Sequence, residues 1–138
     1  MKLIAGAMIA MAASTMTASS SESKVVVTPV TRTTTTMTGQ PIALPDGNPE
    51  VTVSIYEIPP GARLPQHRHP SIRYGYMLSG RLQVTNADTG TVSDFRQGDF
   101  IVESLGQWHS AVNPGNEPIR LLVIDQAPVG ATIVEPRP

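Results

Sequence analysis

The chain contains no cysteine, so no disulfide or thiolate site supports the fold or reports the redox compartment. Charge is sparse: Asp, Glu, Lys and Arg make up 15% of the residues, and the formal net charge is −1. Without a basic excess to neutralise phosphates, nucleic acid is not an expected partner. Long apolar runs are missing too. The uncharged stretch at residues 3–13, LIAGAMIAMAA, falls short of the about 20 residues that a stable membrane span requires. Aromatic residues amount to 4% and histidine to three residues, in a chain whose 138 residues accommodate one domain and not comfortably two.

What is present divides the chain unevenly. Lys2, the apolar run and the small polar residues after it form the pattern of a secretory signal peptide over residues 1–20. Ala10-Met11-Ala12 fits a small-x-small cleavage site and Ala18 is an alternative. An exported protein, periplasmic or secreted, with no stable membrane span after processing, is therefore expected. Residues 24–40 contain VVVTPV and a threonine run, β-prone but interrupted by Pro29, and read as an edge strand or arm. Residues 41–127 form the main domain and 128–138 a tail.

The main domain reads as short strands between turn signals. The whole chain has thirteen prolines and eleven glycines, most of them in this domain. VTVSIYEI at 51–58 alternates Val51, Val53 and Ile55 with Thr52, Ser54 and Tyr56, the period of a half-buried strand. IRYGYML (72–78), RLQVT (81–85), 91–95, DFIVE (99–103), 109–113 and IRLLVID (119–125) follow, joined by turns such as Ser79-Gly80 and Asn86–Gly90. Such spacing predicts an all-β barrel or sandwich.

The three histidines are His67, His69 and His109. Two residues apart on a strand, His67 and His69 face the same side and can enter a barrel together. His109, at the start of another strand, is a candidate third nitrogen. Imidazole suits iron, manganese, nickel, copper and zinc alike, so the divalent ion is not chosen by the set.

Residues 61–80, GARLPQHRHPSIRYGYMLSG, resemble the first cupin motif: glycine, five residues, H-x-H, three residues, glutamate, six residues, glycine. Gly61, His67, His69 and Gly80 match, and Arg73 stands at the glutamate position. Residues 98–113, GDFIVESLGQWHSAVN, resemble the second motif through Gly98, Gly106, His109 and Asn113, with Ser104 in place of its proline. The resemblance implies a single jelly-roll-like cupin barrel of two antiparallel sheets, commonly a homodimer, with a metal inside. Gly61, Gly80, Gly98 and Gly106 then serve as backbone requirements for turns.

Arg73 cannot be a ligand, because a guanidinium stays protonated and offers no acceptor. Three readings follow. The metal is held by three histidines alone, and Arg73 clamps a small anionic substrate. Or no metal binds and the pocket receives a small ligand between Arg73 and walls of Tyr74, Tyr76, Met77 and Trp108. Or Arg73 leaves the barrel for a surface pair with Glu103, Asp94 or Asp99. Replacement of the missing carboxylate by Glu57 or Glu103 has no motif behind it. The leading expectation is an exported metallo-cupin, a dioxygenase or other small-molecule enzyme. The alternative is a non-catalytic cupin that binds or senses a small ligand, since no general acid or base is evident and catalytic residues stay unassigned.

Overall fold

A computed structural model describes residues 23–138; the expected signal peptide lies outside the described residues. The strands are β1 (Pro49–Ile58), β2 (Arg63–Arg68), β3 (Ile72–Ser79), β4 (Arg81–Asn86), β5 (Val92–Arg96), β6 (Phe100–Val102), β7 (His109–Val112), β8 (Ile119–Pro128) and β9 (Glu135–Pro136). They form two antiparallel sheets, ordered β1-β8-β3-β6 and β5-β4-β7-β2-β9. The fold is the expected all-β barrel. Among the described residues no helix is long and apolar enough to cross a membrane.

Alternation along β8 shows how the barrel fills. Ile119, Leu121, Val123, Asp125 and Ala127 are buried, whereas the residues between them are partly or fully exposed. Ile119, Leu121 and Val123 of this row meet Met77 of β3, Ile101 of β6, and Leu82 and Val84 of β4 in one cluster between the sheets. Each such side chain contributes about 1.5–3 kcal/mol on burial, the main force closing the barrel. Asp125 continues the same inward row at the end away from this cluster.

β1 is turned the other way from its apolar pattern. Val51, Val53 and Ile55 are 58%, 59% and 45% exposed, and the inward positions belong to Ser54, Tyr56 and Ile58. Tyr56 and Ile58 fill the barrel from this edge strand, so the period holds and the face is reversed. The strand register aligns Val53 with Ile124 and Tyr74, and Ile55 with Leu122 and Tyr76, on one outer face.

Residues 24–40 form no ladder strand; Thr35 makes a single bridge to Pro41. Val25, Val26 and Val27 are exposed, but the end of the segment is pinned to the domain. Met37 N donates to Val102 O at 2.7 Å, and the Gln40 side chain bonds both backbone groups of Leu105 at 2.9 Å. The last residues return to the barrel, where β9 pairs with β2.

Gly80, between β3 and β4, has φ +84°, and a Cβ there would lie 2.9 Å from Ile119 Cγ1 and 3.0 Å from Ile119 Cα. Both conformation and space demand glycine. Gly61 also has a positive φ, but open space surrounds it. Gly80→Ala is expected to cost about 2–4 kcal/mol and Gly61→Ala about 1 kcal/mol, read from urea unfolding midpoints; equal costs would contradict the steric account.

Candidate metal centre

The site is assembled from the inner faces of both sheets. β2 and β7 pair so that His67 stands opposite His109, and a register shift between Leu64 and His67 bends β2 at this point. The bulge lets Leu64 and His67, an odd number apart, line the same cavity. His69 lies just past β2 and is held by a bridge to Leu105. The three rings face one another at centroid distances of 4.4–5.0 Å. One candidate ligand nitrogen from each lies within 4.8 Å of the others.

Backbone carbonyls choose the tautomers. His67 Nδ1 donates to Pro65 O at 2.7 Å, His69 Nδ1 to Ile133 O at 2.9 Å and His109 Nδ1 to Gln107 O at 3.0 Å. A carbonyl only accepts, so each Nδ1 carries a proton, and in the neutral ring each Nε2 is the lone pair. His69 Nε2 and His109 Nε2 are buried and make no hydrogen bond. Both also lie within 3.3 Å of Glu103 Oε2, and such a group of buried acceptors is costly unless a proton or a metal cation lies among them. The residues therefore fit a divalent metal.

The opposite sheet supplies charge. Arg73 on β3 stands directly across from Asp125 on β8, both nearly inaccessible at 3% and 4% exposure. Arg73 Nε and Nη2 donate to the two carboxylate oxygens at 2.6 and 3.0 Å. Burial opposes the charge on Arg73, but its bonds to Asp125 and the field of Glu103 raise its pKa further. Glu103, one residue beyond β6, donates its backbone N–H to Arg73 O at 3.0 Å. Its Oε2 lies 3.1 Å from His69 Nε2 and 3.3 Å from His109 Nε2. Burial alone would raise the Glu103 pKa; contact with His109 and His69 and the Arg73 charge instead hold it well below the usual carboxylate range. Burial lowers His67, which favours its neutral, ligating form. His109 is raised, because Glu103 outweighs the effect of burial.

The inner cavity between these groups measures about 20 Å³, room for about one water-sized body. A mouth of about 230 Å³ opens from it past His67 and Arg73, walled by Tyr56, Leu64, Pro65, Val134 and Pro136.

The structure thus brings His67, His69, His109 and Arg73 together and leaves three other candidates aside. Arg73 faces inward, so its strand neighbours Tyr74 and Tyr76 face outward, where Tyr74 stacks on Phe100 with ring centroids 6.0 Å apart. Trp108, next to inward-facing His109, lies between Arg68 and Arg137, 4.7 and 5.5 Å from its ring. The surface pair for Arg73 is corrected: its partner is Asp125, inside the barrel, while Asp94 bonds Arg81 and Asp99 caps the backbone of Arg96. Gly61, Gly80, Gly98 and Gly106 all have positive φ and contact no cavity. Asp125, Tyr56 and the carbonyl of Ile133 were missed. Alternation along IRLLVID pointed to an inward Asp125; nothing local pointed to Ile133.

The cupin domain family matches residues 54–125, a little over half of the chain. The chain is a cupin. Its barrel is similar to the cupin domain of Schizosaccharomyces pombe Cnp3, with 24% identity and a TM-score of 0.53 over 61% of each chain. A double-stranded β-helix protein from Klebsiella pneumoniae gives 24% identity and a TM-score of 0.52, covering 70% of this cupin and 91% of that chain. The oxalate decarboxylase of Lactobacillus farciminis, solved with formate, gives 26% identity and a TM-score of 0.53 over 61% of this cupin. This cupin spans only about a quarter of that enzyme's chain and about three fifths of the S. pombe domain. No match was found among curated proteins.

The coupled carboxylate and imidazole generate a pH prediction for the metal-free protein. Glu103, lowered from 4.5, contributes stability above that pH and loses it as pH falls. His109, raised from 6.5, contributes below that pH and loses its part as pH rises through the raised value. The stability gap between wild type and Glu103→Gln is expected to be widest between pH 4.5 and 6.5, narrowing on either side. Urea unfolding across the acid and neutral range measures it; a flat gap would contradict the coupling.

Proposed function

We propose that this cupin is an exported metalloprotein that holds one divalent ion through His67, His69 and His109 and acts on a small anionic substrate admitted at the mouth. The observation that carries this reading is the pair of buried, unpartnered Nε2 atoms whose tautomers are set by backbone carbonyls. When bound, the metal supplies a Lewis acid with open positions for a chelating substrate or dioxygen. Iron, manganese, nickel, copper and zinc all suit the donors. The neighbour named oxalate decarboxylase acts on a small dianion, which favours substrates of that class here.

The substrate's charge is met chiefly by the metal, since Nε and Nη2 of Arg73 are already engaged with Asp125. Arg73 positions the site and contributes long-range field. Leu64, Pro65, Val134 and Pro136 give the mouth apolar walls. One observation favours ligand binding without turnover: Asp125 is bonded to Arg73 and Glu103 lies against two histidines, so neither carboxylate is a free general base. Export rests on Lys2 and the apolar run of residues 3–13.

Protein recovered without an affinity tag from the periplasm or medium should contain about one equivalent of metal by elemental analysis, and its N-terminus should lie after the leader. His109→Ala should lose the metal. Metal-free wild type that also refuses added zinc, manganese and iron would overturn the metal reading, and an intact leader the export reading.

The same proposal includes a homodimer. Val53, Ile124 and Tyr74, with Ile55, Leu122 and Tyr76 beside them, form two apolar rows on the outer face of one sheet, and the exposed valines at 25–27 add a second apolar segment. A two-fold pair would cover both rows at once. Sedimentation is expected to give a dimer for wild type and a monomer for Val53→Lys/Ile55→Lys. A protein lacking residues 1–40 separates the arm's role from that of the sheet. A monomeric wild type would contradict the dimer.

A further inference from the structure

We propose that Glu103 supplies a fourth, anionic ligand to the metal of the three-histidine site, the ligand carboxylate standing not at the β3 position held by Arg73 but just past the end of the adjoining strand β6. The inference rests on the metal reading above and goes beyond it, because the motif places no ligand at this residue.

Distance is the first argument. Donors bound about 2.1 Å from one ion, at angles between square and tetrahedral, are about 3.0–3.4 Å apart. Glu103 Oε2 stands 3.1 Å from His69 Nε2 and 3.3 Å from His109 Nε2. The second argument is proton count. Both rings donate through Nδ1 to carbonyls and neither Nε2 makes a hydrogen bond, so with the rings neutral, as ligands are, a carboxylate oxygen faces two imidazole lone pairs. Like-signed electron density at that range calls for a cation between the three atoms.

The third argument is the lack of another partner. Arg73 is bonded through Nε and Nη2 to Asp125, and among the described residues the ion-pair neighbours of Glu103 are the two histidines alone. The fourth is placement. Glu103 is tied to Arg73 O through its backbone, and Leu105 is clamped by Gln40, so the carboxylate projects from a fixed segment. Arg73 and Glu103 are cross-strand neighbours, which makes the exchange of positions a short one. Three neutral imidazoles and one carboxylate would leave a divalent ion with a single positive charge, suited to one anionic substrate group.

The test is zinc affinity, measured by chelator competition on stripped protein. Wild type should take one equivalent and His109→Ala should fail to. Glu103→Gln should bind at least about 100-fold more weakly, the upper range for losing even an outer-shell partner and hence a minimum for a ligand. The melting temperature of each metal-free variant reports any purely structural role. If Glu103→Gln does not fold, Glu103→Asp carries the test, because it keeps the charge but withdraws the oxygen by one methylene; weaker zinc binding supports the proposal. Unchanged affinity in the folded variant overturns the role of Glu103 and leaves the three-histidine reading standing. Failure of wild type to bind zinc overturns both.

Discussion

The ion pair between Arg73 and Asp125 is buried between the sheets of the barrel, beside a largely aliphatic core cluster. Neither charge can be removed singly without stranding the other, which typically costs about 3–5 kcal/mol. The pair is thus a constraint on everything around it. It locks β3 to β8 in the register that places Arg73 across from Asp125, and it engages the guanidinium through Nε and Nη2. Glu103 then stands beside a cation that is already engaged, and the barrel mouth acquires a carboxylate that only the histidines can answer. A pair of this kind is weak evidence for stability against an apolar substitute. Its consequence here is positional: it decides which acid belongs to the arginine and which to the metal site.

The histidines depend on a second constraint, supplied by main chain rather than side chain. Each Nδ1 is satisfied by a carbonyl, from Pro65, Ile133 and Gln107. Two of these carbonyls lie two residues from their histidine, so the local strand conformation suffices. The third comes from the C-terminal segment, which reaches the site by pairing β9 with β2 and by the Arg68–Glu135 contact at 2.6 Å. His69 is therefore oriented by a part of the chain far from it in sequence. The same segment contributes Val134 and Pro136 to the mouth, so closing the barrel and shaping its entrance are one event.

This separation explains what was legible beforehand. His67, His69 and His109 were readable because strand periodicity and motif spacing are local properties. Seven of the strands were readable for the same reason, whereas β2 and β9 carried no strand pattern of their own and the expected edge strand at 24–40 did not form. The face of β1 was not, because both of its faces carry apolar or aromatic residues and only the packing of Tyr56 and Ile58 breaks the tie. The pocket role expected of Tyr74 and Tyr76 conflicted with that of Arg73 from the outset, since adjacent residues on a strand face opposite ways. Asp125 was available from alternation in IRLLVID, but pairing it with Arg73 required the β3–β8 register. Ile133 was beyond reach, because a backbone carbonyl has no sequence signature.

Glu103 shows the limit most sharply. It occupies a position between the motif's Gly98 and Gly106, where residue identity is free, so motif matching gives it no weight. Only when β6 is laid against β3 does it become the neighbour of the one residue that departs from the motif. A departure at Arg73 and an acid at Glu103 are then two halves of one arrangement, a cation and an anion on adjacent strands facing three imidazoles. The loss of a carboxylate from one strand leaves the electrostatics of the barrel intact when the next strand supplies it within 3.3 Å of two ligand nitrogens. The field inside such a barrel is set by which charges face inward at one level, and strand identity matters less than level. On the proposed reading, an arginine at the usual ligand position is compatible with a cation a few ångströms away: Asp125 answers the arginine, and Glu103 is left to answer the metal.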